Sequence, residues 1–328
     1  MSDWRYRIAE QRGTLIAIAI FLVMFVIYVS NHPAGFSANV VQTAANNGVL
    51  LALVAMAQTL VVLTAGIDLS VGMIFIFTNC LASYLVTGSA VTATFGIIGV
   101  LIAGFACGVL NGLIVIYGRL QPIVTTIATG SIFYGLALWL RPQPGSSDEF
   151  YKVIAKAMTT RLPGGIPVSL VALLVIVLVI WVPFRRSALG RAVYASGSSE
   201  VAAYMSGVPI RRAKFAAYTL SGLLSAMGGL YVTFITRSGE ASFVNGGNYT
   251  LHSIAAVVLG GVSLFGGVGS AIGAIFGALA FRTIGNLLLV FDIEPLWQEL
   301  FQGVVLLLAV CIGAARLFQV RNRLDLFS

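Results

Sequence analysis

Ten stretches of this 328-residue chain are apolar over roughly the length an α-helix needs to cross the hydrocarbon core of a bilayer, about 20 residues. They run 14–30, 48–66, 69–87, 91–117, 122–140, 166–184, 213–236, 250–265, 269–290 and 300–317. Inside lipid every backbone N–H and C=O needs a partner within the protein, so segments of this kind fold as helices. The expected fold is therefore an all-α polytopic membrane protein of about ten transmembrane helices, a single domain over residues 1–328. The eighth stretch is short and meets the ninth at a tight Gly266-Gly267 joint, and residues 64–72 look similarly broken. Re-entrant hairpins at these places, and totals of eight or twelve crossings, stay open.

Composition agrees with the class: 59% of residues are hydrophobic and 9% charged, against about 25% charged in a soluble domain. The net charge of +8 does not point to nucleic acid, because most Lys and Arg residues lie in short connections, where they orient helices in the membrane. With the N-terminus inside, thirteen of the 19 fall on the cytoplasmic side: Arg5, Arg7, Arg12, Arg119, Arg185, Arg186, Arg191, Arg211, Arg212, Lys214, Arg316, Arg321 and Arg323. Five fall opposite, Arg141, Lys152, Lys156, Arg161 and Arg237, and Arg282 lies within a span. Both termini are predicted cytoplasmic. The basic N-terminus leads into Thr14–Ser30 without a convincing cleavage site and reads as a retained first helix. Cys80, Cys107 and Cys311 all fall in apolar runs and read as small buried hydrophobes.

Two connections are long. The outer one, 141–165, is rich in Pro and Gly and reads either as plain loop or as a docking surface. The inner one, 185–212, contains Ser198 and Ser199 followed by Glu200, Ala202, Ala203, Tyr204 and a closing Gly207, the signature of a short capped helix.

Ionisable side chains within spans are expensive and so are functional candidates. Asp68, between Gly66 and Gly72, reads as a cap on the third helix, as a pathway residue, or as both. Arg282 in the ninth span must face protein or water. Gln58, Asn79, Asn111 and Asn286 could hydrogen-bond a polyhydroxyl solute, although such residues commonly join helices. Gly104, Gly108 and Gly112 in the fourth span, and Gly269, Gly273 and Gly277 in the ninth, recur every four residues and predict two close helix contacts. Two similarly patterned helices running in opposite directions also hint at an inverted repeat. No phosphate-binding loop and no His-Glu-x-x-His is present, and His32 and His252 have no cluster of ligands in the sequence around them. If ATP drives this chain, another chain hydrolyses it.

Three ordered stretches, Leu63-Thr-Ala-Gly-Ile-Asp-Leu-Ser-Val-Gly72, Asn111-Gly112 with Gln121-Pro-Ile-Val-Thr-Thr126, and Gly260-Gly-Val-Ser-Leu-Phe-Gly-Gly-Val-Gly-Ser270, resemble the permeases of ribose-type and related simple-sugar ABC importers. Gly197–Gly207 and Tyr218–Ser225 also look like the family's coupling region. The resemblance implies a dimer of permeases, homo- or heterodimeric, that translocates a small neutral solute, a sugar, in the bacterial inner membrane. It further implies two cytoplasmic ABC ATPases holding ATP and Mg, with no cofactor in this chain, and a periplasmic substrate-binding protein. Ser198–Gly207 would then sit in a groove of an ATPase. Arg282 departs from the family pattern, which has an uncharged residue there, and leaves room for an acidic or modified solute. A branched-chain amino-acid or nucleoside permease of the same superfamily is the near alternative; a channel or intramembrane enzyme is the distant one.

Overall fold

A computed structural model describes residues 3–146, 149–294, 296–308 and 311. Its helices are α1 (Asp3–Asn31), α2 (Ala38–Val62), α3 (Val71–Leu85), α4 (Ala90–Gly112), α5 (Pro122–Leu140), α6 (Glu149–Thr159) and α7 (Val168–Ile176). There follow α8 (Val182–Arg186), α9 (Ala188–Ser198), α10 (Glu200–Met205), α11 (Ile210–Thr236), α12 (Phe243–Leu259), α13 (Ala271–Val290) and α14 (Trp297–Leu308). Wider π-helical turns at 113–117 and 177–181 extend α4 and join α7 to α8. The protein is all-α and polytopic. Among the described residues seven helices are long and apolar enough to span a membrane, and the other three predicted spans fall on the shorter α3, α12 and α14. Most of the predicted tenth span beyond 308, with Arg316, Arg321 and Arg323, lies outside the described residues.

Two spans start earlier than the sequence pattern for a physical reason. The second span starts at Ala38, ten residues early, because the Ser37 hydroxyl accepts from the Val40 N–H and begins the helix in a polar stretch. Polar faces on Gln42 and Asn46 are tolerated there because their amides donate to the Thr159 carbonyl at the end of α6. The helix of the eighth predicted span, α12, likewise starts at Phe243, where Ser242 accepts from the Asn245 N–H, and ends at Leu259. The 64–72 break is present: α2 stops at Val62, and Ala65 and the following turn reverse the chain before α3. Residues 260–270 form an irregular turn between α12 and α13, not part of a span.

Cross-contacts assign the connections to two ends of the bundle, here called outer and inner after the orientation that the charge asymmetry predicts. At the outer end the two-residue strands β1 (Gly145–Ser146) and β2 (Ser238–Gly239) pair antiparallel, and Arg141 donates through Nε to Ser83 Oγ at 2.8 Å. At the inner end the Gly267 N–H donates to the Leu63 carbonyl at 3.0 Å, and the Tyr194 hydroxyl donates to the Gly269 carbonyl at 2.7 Å. The 141–165 connection contains α6, which buries Ala155 and packs Ile154 and Met158 on the bundle.

α2 and α11 are the hub. Leu50 to Val62 of α2 is buried on all sides and, apart from Gln58 and Thr59, apolar, as expected of a helix surrounded by others. α11 packs on α2, α3 and α4, while α2 packs on α11, α12 and α13. With the α3–α4 and α12–α13 contacts, this set maps onto itself when α2 is exchanged with α11, α3 with α12 and α4 with α13. Each exchanged pair runs in opposite directions, which is the packing an inverted repeat produces.

Glycines make the contacts close. A Cβ on Gly104 or Gly108 would run into the α11 backbone at Gly222, Tyr218 and Thr219, and Gly112 lies against Phe215. Gly273 and Gly277 meet the α12 end at Gly260 and Ala256. Gly269 differs from expectation: it precedes α13, and its φ of 122° makes it a turn residue. Cys80 and Cys107 are buried, whereas Cys311 is exposed.

Candidate functional site

A cavity of about 400 Å³ lies between α2, α3, α11, α12, α13 and α14 toward the outer end. Asn47 and Leu50 of α2, Phe75 and Asn79 of α3, Tyr249 and His252 of α12, Arg282 of α13 and Gln298 of α14 line it. Glu240 and Glu299 sit at its exposed rim. Of the six residues singled out in the sequence, only Asn79 and Arg282 reach this cavity.

Those two behave differently. Asn79 is spent on structure: its Nδ2 donates to Thr233 Oγ1 at 2.8 Å and to the Ser238 carbonyl at 3.1 Å, and its Oδ1 accepts from the Glu240 N–H at 2.9 Å. It fastens the α11–α12 turn over α3. Arg282 is half-buried and has no hydrogen-bond or ion-pair partner among the described residues. The residues that sequence reasoning passed over, Asn47, Tyr249, His252 and Gln298, come from three helices. No local spacing could have joined them; only His252 carried a signal, as one of two histidines in the chain.

Inward of the cavity α2 is closely surrounded. Gln58 lies on α2 about 12 Å further inward than Leu50, wholly buried, with both amide atoms unpaired. Ser225 of α11 is equally buried, its hydroxyl unpaired. Inward of these, Thr64, Gly66, Tyr218, Lys214 and Arg119 line a second cavity of about 300 Å³. Buried unpaired polar groups are costly, about 1–3 kcal/mol each, and Gln58 and Ser225 carry that cost in the layer between the two cavities.

Asp68 sits in the inner zone, fully buried. Its Oδ1 accepts from the Ser70 N–H at 2.9 Å and from Ser70 Oγ at 2.6 Å, and Ser221 Oγ lies 3.5 Å from Oδ2. Asp68 therefore anchors the residue before α3; the first-turn N–H groups that a cap would satisfy are not its partners. Ser70 Oγ in turn accepts from Asn111 Nδ2 at 2.7 Å, and the Leu69 N–H donates to Thr126 Oγ1 at 2.9 Å. One loop thus binds α4, α5 and α11 together. Asn286 lies on α13 outside both cavities, half-buried.

The inner connection carries α9 and α10. Ser199 accepts from the Ala202 N–H and starts α10, and Gly207, at φ 73°, ends it. Glu200 pairs with Lys214 of α11 at 2.8 Å, within the chain. Ala203 is buried at 5% exposure, so it packs inward, while Val201, Tyr204 and Met205 are more than 70% exposed. Ser198, at the end of α9, is exposed and donates to the Tyr194 carbonyl. A Cβ on Gly197 would strike both the Leu63 carbonyl and the Gly267 nitrogen. Residues 63–72, 197–207 and 260–270, far apart in sequence, therefore meet at one knot.

Antiparallel helix triads around a polar cavity that is closed below define a membrane transport subunit. The chain belongs to the family described as branched-chain amino acid transport system / permease component, whose profile matches residues 39–310. It is 34% identical over 281 residues to the ribose import permease protein RbsC of Bacillus subtilis, covering 84% of this chain and 83% of that one. Its identity to the fructose import permease protein FrcC of Rhizobium meliloti is 32% over 308 residues, 91% and 83% of the two chains. To the D-allose transport system permease protein AlsC of Escherichia coli it is 29% identical over 308 residues, 92% and 91%. No solved structure matches the chain at a comparable level.

Proposed function

We propose that this chain is the membrane-spanning permease subunit of an ABC importer in a bacterial cytoplasmic membrane, and that it passes a monosaccharide-sized polyhydroxylated solute inward by alternating access. The observation that carries the reading is the outer cavity: amides, an arginine and a histidine beside the Phe75–Tyr249 ring pair, 4.4 Å between centroids, at monosaccharide scale. A branched aliphatic side chain would need a drier pocket. The relatives named for ribose, fructose and allose support the same class of solute.

In this reading the solute descends from a periplasmic binding protein into the cavity and is held above the layer that contains Gln58 and Ser225. The exposed Val201, Tyr204 and Met205 face of α10 docks on a cytoplasmic ATPase, which alone holds ATP and Mg. A push on α10 reaches the turns at Leu63 and Gly267 through Gly197, and from Leu63 reaches the Asp68 network that joins α3, α4, α5 and α11. Rearranged, that network lets Gln58 and Ser225 meet the passing hydroxyl groups that their unpaired atoms lack. A second copy or a sister permease completes the assembly.

The test is reconstitution of the chain with its ATPase and binding protein in liposomes, with uptake of labelled solute measured. ATP-dependent uptake that is abolished by Gln58→Leu at unchanged ATPase co-purification is the expected result. Uptake that is independent of ATP, or unaffected by Gln58→Leu, would overturn the reading.

A further inference from the structure

Arg282 is the twelfth of the 20 residues of α13, about 17 Å from its inner end, and so lies near the middle of a hydrocarbon core about 30 Å thick. A guanidinium at that depth is expensive unless it is paired or faces water, and in most proteins the partner is a carboxylate. Here it lines the outer cavity, and no described residue hydrogen-bonds or ion-pairs with it. The carboxylates of Glu240 and Glu299 border the same cavity, yet neither is bonded to Arg282; they stay at the exposed rim, where Glu299 accepts from Asn248 Nδ2 at 3.3 Å. The cavity therefore has acceptors and amides enough for hydroxyl groups, and one cation in direct contact with neither of its carboxylates nor with any other described partner.

We propose that the missing partner is on the solute: the carried molecule is a sugar acid whose carboxylate pairs with Arg282, its ring hydroxyl groups meeting the amides of Asn47 and Gln298. This deepens the reading of the cavity as the solute site and rests on it, replacing a neutral sugar by an anionic one. A planar guanidinium presents two parallel N–H donors that match a carboxylate, and in a site shielded from bulk water the pair is stronger than on a surface. The two rim glutamates narrow the class further. They disfavour a phosphate dianion more than a monoanion, since like-charge repulsion grows with the charge carried past them.

The experiment titrates the intact chain, purified with its ATPase partner, with galacturonate, galactose and galactosamine, following the unfolding temperature to obtain apparent affinities. Galacturonate is expected to bind most tightly. Arg282→Gln should weaken galacturonate roughly 10- to 100-fold, the worth of one charge-assisted pair, and so remove its advantage over galactose measured on the same variant, while Arg282→Lys should recover part of the loss. Galactose binding as tightly as galacturonate in the wild type would overturn the carboxylate assignment while leaving the cavity as a sugar site, and so would galacturonate affinity that survives Arg282→Gln. If none of the three probes stabilises the chain, the cavity is not the solute site and both readings fall. The wild-type comparison decides by itself should either variant fail to fold.

Discussion

Replacing Asn79 with leucine removes three hydrogen bonds at nearly constant volume, and the structure says how much each matters. The Thr233 hydroxyl still donates to the Gly229 carbonyl, and the Ser238 carbonyl still accepts from the Thr236 hydroxyl, so both keep a partner after the change. The Glu240 N–H has no other acceptor among the described residues and is left to water at the exposed rim of the cavity. Each of the three lost bonds is worth about 0.5–1 kcal/mol net where water or another group takes the partner's place, for a loss of about 2 kcal/mol. That loss is local, because the bonds fasten the α11–α12 turn and not the hub. Hydrogen exchange at Glu240 should therefore accelerate roughly 30-fold in Asn79→Leu, the equivalent of about 2 kcal/mol, while amides in the middle of α2 keep wild-type protection. Asn286→Leu, on a residue with no side-chain hydrogen bond among the described residues, is the control and should leave both regions unchanged. Unchanged exchange at Glu240 in Asn79→Leu, or equal acceleration in both variants, would refute the assignment of Asn79 as a fastener.

Other expectations follow from the same contacts. Gly108→Val should abolish stable accumulation of the protein, since its side chain would meet the α11 backbone, whereas Gly135→Ala, with open space at its Cβ, should accumulate normally; immunoblots of membranes compare the two. Tyr204→Asp should retain the fold but lose ATPase co-purification, whereas Ala203→Arg should lower the unfolding temperature of the chain itself, because Ala203 packs inward. Asp68→Asn should assemble like the wild type, since an amide carbonyl still accepts from Ser70, and Asp68→Ala should destabilise the inner end by about 2 kcal/mol in chemical denaturation. In a background lacking the exposed Cys311, an impermeant thiol reagent on intact cells should label Thr160→Cys and not Ser198→Cys; the reverse would invert the orientation. Ser147, in the same outer connection, lies outside the described residues.

What the sequence determined by itself is whatever one segment can signal alone. Apolar runs, the break at 64–72, the joint around Gly266-Gly267 and the capped helix after Ser199 each depend on neighbours a few residues away, and each is present, although the turn at the joint widens to 260–270 and α12 already ends at Leu259. Periodic glycines announced close packing because a missing Cβ acts on whatever lies opposite, without saying what that is. The starts of α2 and α12 were hidden for the complementary reason: their polar first turns are tolerated only because α6 and the cavity supply partners or space. The site was decided by tertiary structure. Asn79, Arg282, His252 and Gln298 become neighbours of one space only when four helices assemble, and the same fold spends Asn79 on a turn while leaving Arg282 unpaired. Ala203 looked like an interface residue and became a core residue, since its direction depends on where α11 lies. A side chain's type is written in the sequence, but whether it is bonded, buried or free is fixed by what the packed helices bring within about 3 Å of it.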